Sequence, residues 1–154
     1  MLTDQNQNGL DSIDMQLLRE LQDDARLTLA ELGRRVGLSA PAVADRLARL
    51  EVDDEVIAGY RLELNPEGLG YALTSIIRIR PSPRQIAKVA DLARATPEVV
   101  ECHRITGEDC FFVKAHVRDV HHLEELIDTF TPFGATTTSI VQSSPVPPRG
   151  LTLA

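Results

Sequence analysis

Residues Leu29–Glu51 read LAELGRRVGLSAPAVADRLARLE, and they decide the fold of the first third of the chain. Leu29, Leu32 and Val36 recur at helical spacing and predict the buried side of a short helix. Thr28 and Glu31 have the spacing of a capping box, in which a hydroxyl and a carboxylate each satisfy a free backbone N–H. Gly37 supplies the positive φ that a helix stop favours. Ser39 caps a further helix, and Pro41 suits a first turn, where its missing N–H is not needed. Val43, Leu47 and Leu50 at i, i+4 and i+7 face inward, which leaves Ala42, Asp45, Arg46 and Arg49 expected on the outer side. Two short helices joined by a tight glycine-containing turn, with a small and basic outer face on the second, have helix-turn-helix spacing.

Upstream, LDSIDMQLLRELQDDA reads as a helix capped by Asp11, with Ile13, Leu17 and Leu21 in one apolar stripe beside Leu18. Asp14 in its first turn suits the positive end of the helix dipole. The polar start MLTDQNQNGLD has no basic region followed by an apolar one, so it reads as a frayed arm and not a secretory signal.

The 154-residue chain carries a formal net charge of -7, and residues 1–60 hold six arginines against twelve carboxylates. That balance excludes a generally basic nucleic-acid binder, so DNA contact must come from a local patch and be strongly salt-dependent. The patch consists of Arg34, Arg35, Arg46 and Arg49, with Ser39 at the helix start. The small Ala40, Ala42 and Ala44 would let the helix approach a groove floor, with Asp45 beside them. The plain alternative is that these arginines are solvated or paired, Arg46 for example with Asp23, Asp24 or Asp45.

No apolar run approaches the roughly 18 residues that cross a bilayer, so no membrane association is expected. Cys102 and Cys110 are too few for a disulfide scaffold, and a cytoplasmic protein with reduced thiols is expected.

Downstream, VIAGYRLELN reads as extended and alternating, and NPEGLGY breaks it with Pro66, Gly68 and Gly70, which marks a linker. ALTSIIRIRP, EVVECHRITG, DCFFVKAHV and ATTTSIVQSSP read as strands. SPRQIAKVADLARAT and DVHHLEELIDTFTPFG read as helices, with inward Ile86, Val89, Leu92 and Ala93 in one, and Val120, Leu123, Leu126, Ile127 and Phe130 in the other. The order βαββαβ is the ferredoxin-like plan, an antiparallel sheet with both helices on one face. Ile76–Ile77 and Phe111–Phe112–Val113 are apolar at both parities, so the face without helices needs a partner; a second copy packed sheet to sheet is the simplest.

The whole pattern resembles the Lrp/AsnC family of feast/famine transcription regulators. The resemblance rests on the head from Leu10 to Glu51, on VIAGYRLELNPEGLG, and on ITGEDCFFVKAHV and TTTSIV. It implies an α+β chain: a winged helix-turn-helix over 1–56, a hinge strand and linker over 57–70, and an ACT-like ferredoxin domain over 71–154 for effector binding and oligomerisation. It implies double-stranded DNA as partner, homodimers that assemble to tetramers or octamers, and a small effector, typically an amino acid, bound where dimers meet. Carried over by position, the effector residues are Thr106, Gly107, Glu108, Asp109, Thr136 and Thr138; no cofactor or metal is implied. Two departures stand out. Cys110 occupies a position that is acidic in many relatives, and the link EVDDEVI lacks the usual glycine and places four acids in six positions near the expected wing.

Two other functions stay open at this level. One is an enzyme, since siroheme decarboxylases resemble the same architecture and His103, His116, His121 and His122 all lie in the second half. Adjacent His121 and His122 cannot easily aim both rings at one ion, and no nucleophile–base set is visible, which favours a non-enzyme. The other is a ligand-binding module that has lost DNA binding.

Overall fold

The computed structural model describes residues 9–153 and divides the chain into two compact units, one running to Leu62 and taking in the chain from Pro148, the other Glu63–Pro147. The start of the polar arm, residues 1–8, lies outside the described residues.

The first unit has three helices, α1 (Ser12–Asp23), α2 (Leu29–Val36) and α3 (Ala40–Val52). Asp11 caps α1 in a complete capping box: its side chain accepts from the Ile13 and Asp14 N–H groups, and Asp14 accepts from the Asp11 N–H. At Thr28 only half of the expected box forms. The hydroxyl accepts from Glu31 N–H at 3.2 Å, but the Glu31 carboxylate takes Arg34 and Arg35 instead of the cap backbone. Charged donors along the same helix outcompete one neutral N–H for that carboxylate.

Leu10, Leu17, Leu18, Leu32, Val43, Leu47 and Leu50 form the apolar centre of this unit, and Leu153 from the returning tail packs against it. The tail was expected with the second half of the chain. Leu29, expected inside, is 41% exposed. Gly33 takes the buried place on α2, because the chain turns back over it: a Cβ there would stand 2.4 Å from the Leu38 carbonyl oxygen. Gly37 ends α2 with φ +74°, as its sequence position predicts.

Residues 53–62 form neither helix nor strand, so the expected hinge strand is unpaired within one chain; Tyr60 and Leu62 are exposed. Strand pairing needs a neighbouring backbone, and no strand among the described residues pairs there.

The second unit has the expected order: β1 (Leu73–Pro81), α4 (Ile86–Ala95), β2 (Val99–Arg104), β3 (Phe111–Val117), α5 (Val120–Phe130) and β4 (Gly134–Ile140). The antiparallel sheet runs β2-β3-β1-β4, the ferredoxin-like arrangement. Ile77, Ile79, Phe111, Val113, Ala115 and Val117 face the helices and bury against Val89, Ala93, Leu123, Leu126 and Phe130. Val120, expected in that stripe, is 65% exposed. Among the described residues of this unit, no helix covers the opposite sheet face. Its rows follow from the register: His116 and Thr74; then Glu101, Lys114, Ile76 and Ser139; then His103, Phe112, Arg78 and Thr137.

Gly33→Ala is expected to destabilise the first unit by about 1–3 kcal/mol, the usual cost of forcing atoms into a packed contact. Denaturation followed by circular dichroism checks this; an unchanged midpoint would show that the α2–α3 turn gives way easily.

Candidate DNA and effector sites

The outer side of α3 differs from the one its spacing predicts. Ser39, Pro41, Asp45, Ala48 and Val52 are exposed, whereas Ala40, Ala42, Arg46 and Arg49 are half-buried. Arg46 and Arg49 lie on the flank facing α1, where a buried carboxylate receives them. Asp14, 1% exposed, holds Arg46 Nη1 through Oδ1 and Arg49 Nη2 through Oδ2, each at 2.7 Å. Arg46 Nη1 also reaches Asp11 Oδ2 at 2.7 Å, and Arg49 Nη1 reaches Asp54 Oδ2 at 2.8 Å. Pairing of Arg46 therefore occurs, but with carboxylates some thirty residues away and not with Asp23, Asp24 or Asp45.

The other two arginines are paired with carboxylates that are themselves more exposed than Asp14. Arg34 is 72% exposed at its side chain and bonds Glu31, while Arg35 bonds Glu31 and Glu20. Hydrogen bonds from Arg34 and then Arg35 hold the Glu31 carboxyl down at about 2. Burial pushes the Asp14 carboxyl up, but bonds from Arg49, the Asp11 N–H and Arg46 together outweigh it, so the net shift is downward.

The acidic link after α3 is used internally. Asp54 takes Arg49, and Glu51 accepts from the Tyr60 hydroxyl at 3.0 Å. Although the Tyr60 ring is half exposed, partial desolvation of its hydroxyl, and then that bond to Glu51, push the phenol up to about 12.

The β2–β3 turn contains Thr106, Gly107, Glu108 and Asp109, with Gly107 at φ +112°. Two residues that sequence reasoning missed lie beside it. Arg80 Nη2 stands 2.5 Å from Glu108 Oε2 and 3.6 Å from Asp109 Oδ1, and Arg78 Nη1 stands 3.6 Å from Asp109 Oδ2. Their signal in the sequence was the alternation IIRIRP, which places both arginines on the face opposite Ile77 and Ile79. Thr136 and Thr138 pair with Ile79 and Ile77 and so lie on the helix-covered face. The chain therefore does not gather the six expected effector residues at one point: four form the turn, and two sit behind the sheet. Thr138 Oγ1 is buried without a hydrogen-bond partner among the described residues.

His121 and His122 diverge. His121 is exposed beside Glu124 and Glu125, whereas His122 is buried, accepts from the Arg118 N–H at Nδ1 and donates from Nε2 to Glu98 at 2.9 Å. Both of its ring nitrogens are thus occupied by structure. Cys102 and Cys110 are both free.

A short capped helix carried on a tight turn, joined to a ferredoxin-like sheet with a charged hairpin, defines a helix-turn-helix regulator with a regulatory domain. Comparison with known proteins places it further. The AsnC-type helix-turn-helix domain model matches residues 10–51, and the Lrp/AsnC ligand binding domain model matches residues 74–151. The uncharacterized HTH-type transcriptional regulator YezC of Bacillus subtilis is 41% identical over 135 residues, 88% of this chain and 95% of its own. The structure of B. subtilis LrpC superposes with TM-score 0.82 at 30% identity, covering 88% of this chain and 96% of that one. The feast or famine regulatory protein Rv3291c of Mycobacterium tuberculosis, complexed with L-methionine, superposes with TM-score 0.84 at 33% identity, covering 92% and 98%. The chain belongs to the Lrp/AsnC family of transcriptional regulators, and it is a regulator, not an enzyme.

Asp14→Asn is expected to cost about 2 kcal/mol, the scale of hydrogen bonds to a charged group. Because folding lowers the Asp14 pKa, its contribution is full above the ordinary Asp value of 3.8 and is lost as pH falls through the lower folded value. Wild-type stability in urea should therefore drop below about pH 4 more steeply than that of the variant. Parallel pH curves would show that another carboxylate carries the acid sensitivity.

Proposed function

We propose that the protein regulates transcription by binding specific sites on double-stranded DNA, with α3 of each half of a homodimer entering the major groove, and that a small effector, an amino acid, modulates it. The observation that carries the DNA reading is the capped α3, exposed along one stripe and braced by ion pairs against α1. With that stripe toward the groove floor, the helix flanks face the phosphate walls. Arg46 and Arg49 on one flank, and Arg34 and Arg35 at the end of α2, then supply phosphate contacts through the N–H groups their ion pairs leave unused. Ser39 donates at the helix start, and Ala40 and Ala42 permit close approach.

The helix-free sheet face, with Ile76 and Phe112 at its centre, is the proposed homodimer surface, from which tetramers or octamers are built. The effector site is proposed at the turn Thr106–Asp109. Gly107 exposes backbone N–H groups there for a carboxylate, and Glu108 and Asp109 offer acceptors for an amino group. Thr136 and Thr138 would join it from another copy. The methionine named with Rv3291c supports this class of ligand. An effector acts only if it binds two assemblies unequally. No helix of the described residues is long and apolar enough to cross a membrane, which fits the proposed cytoplasmic site of action.

Binding of the purified protein to genomic fragments across a salt series tests this. Wild type should bind selectively, lose affinity steeply with salt, and respond to at least one amino acid; Arg46→Ala/Arg49→Ala should not bind. Phe112→Glu should convert the dimer to monomer in sedimentation. A folded dimer that binds no fragment at low salt sinks the DNA reading.

A further inference from the structure

We propose that α3 reads its DNA site through Asp45, whose carboxylate accepts a hydrogen bond from an exocyclic amino group of a base in the major groove. This rests on the DNA-binding reading and names the residue that makes it selective.

The inference starts from what each side of α3 is occupied with. Val43, Leu47 and Leu50 are buried in the apolar centre. Arg46 and Arg49, the cations a reader of guanine would use, are turned to α1 and held by Asp11, Asp14 and Asp54. The exposed stripe is left with Pro41, Asp45, Ala48 and Val52, at i, i+4, i+7 and i+11. Of these only Asp45 carries a polar side chain, and among the described residues it has no hydrogen bond or ion pair. Arg49, one turn on, lines the same cavity as Asp45 but is held by Asp14 and Asp54, and the other neighbours one turn away, Pro41 and Ala48, have no polar side-chain group.

An ionised carboxylate is an acceptor only. On a groove floor it meets acceptors at guanine O6 and N7, adenine N7 and thymine O4, and donors only at cytosine N4 and adenine N6. Placed against any other edge it is buried unpaired, which is costly. Placed against a phosphate it is repelled. Asp45 therefore selects twice: it favours a base with an exocyclic amine at one position in each half-site, and it lowers affinity for all other registers. The same charge explains how a head with twice as many carboxylates as arginines avoids indiscriminate binding to DNA.

The test is site selection from a pool of random duplexes, run at one salt concentration with full-length wild type, Asp45→Ala and Asp45→Asn. Asp45 is exposed and unpaired among the described residues, so both variants should fold as wild type does. Wild-type sites should carry cytosine or adenine on the same strand at one position of each half-site. Asp45→Ala should lose that preference, bind non-specific duplex more tightly, and show a specific-to-non-specific ratio lower by on the order of tenfold. Asp45→Asn, which gains a donor, should change the preferred base at that position. If Asp45→Ala selects the same base at every position with undiminished discrimination, the proposal is overturned while the DNA-binding reading stands. If wild type enriches no sequence at all, the DNA-binding reading fails with it.

Discussion

One buried carboxylate sets the geometry of the head. Asp14 closes the capping box of α1 with the backbone, and each of its oxygens also receives a guanidinium from α3. A carboxylate taken out of water is costly unless such partners replace its hydration, and here three donors do so. The two arginines stand one turn apart on α3, so Asp14 fixes both the rotation of that helix and its distance from α1. Helix packing through Leu17, Val43 and Leu50 is non-directional by comparison; it would tolerate small rotations that the paired guanidiniums do not.

This constraint changes the meaning of the arginines. Seen as a list of residues, they make a basic face on an otherwise acidic protein. In the fold, each is already matched by a carboxylate, and those of α3 lie on a flank. The protein thus approaches DNA with a pre-set helix and little loose positive charge. Such an arrangement favours selectivity over raw affinity, because non-specific binding draws mainly on unpaired cations and their released counterions.

The second unit divides its labour by strand parity. One face of the sheet is closed by α4 and α5. The other keeps apolar residues at its centre and charged residues toward the β2–β3 turn, where Arg78 and Arg80 neutralise Glu108 and Asp109. At the effector site proposed for this turn, a zwitterionic ligand would offer one charge to each side of that cluster, so an internal ion pair would be exchanged without leaving a charge unmatched. Thr136 and Thr138, on the opposite face, would take part in that proposed site only if a second copy presented its edge strand there.

The residues alone determined a good deal about this protein. Caps at Asp11 and Ser39, the stop at Gly37, and the change of apolar period from helix to strand are local signals, and local signals survive without knowledge of the fold. They set the element order, the helix-turn-helix and the ferredoxin-like plan. Tertiary structure decided the rest, because it depends on which distant groups meet. Thirty-five residues separate Asp14 from Arg49, so no helical spacing could reveal that the expected outward arginine is turned inward. Leu29 yields its buried place to Gly33 because the Leu38 carbonyl passes directly over the helix there. The face on which Thr136 and Thr138 lie follows from strand register, where a slip of one residue would reverse every side chain. Local propensity chooses the elements, whereas only packing chooses which of their faces is left free to act.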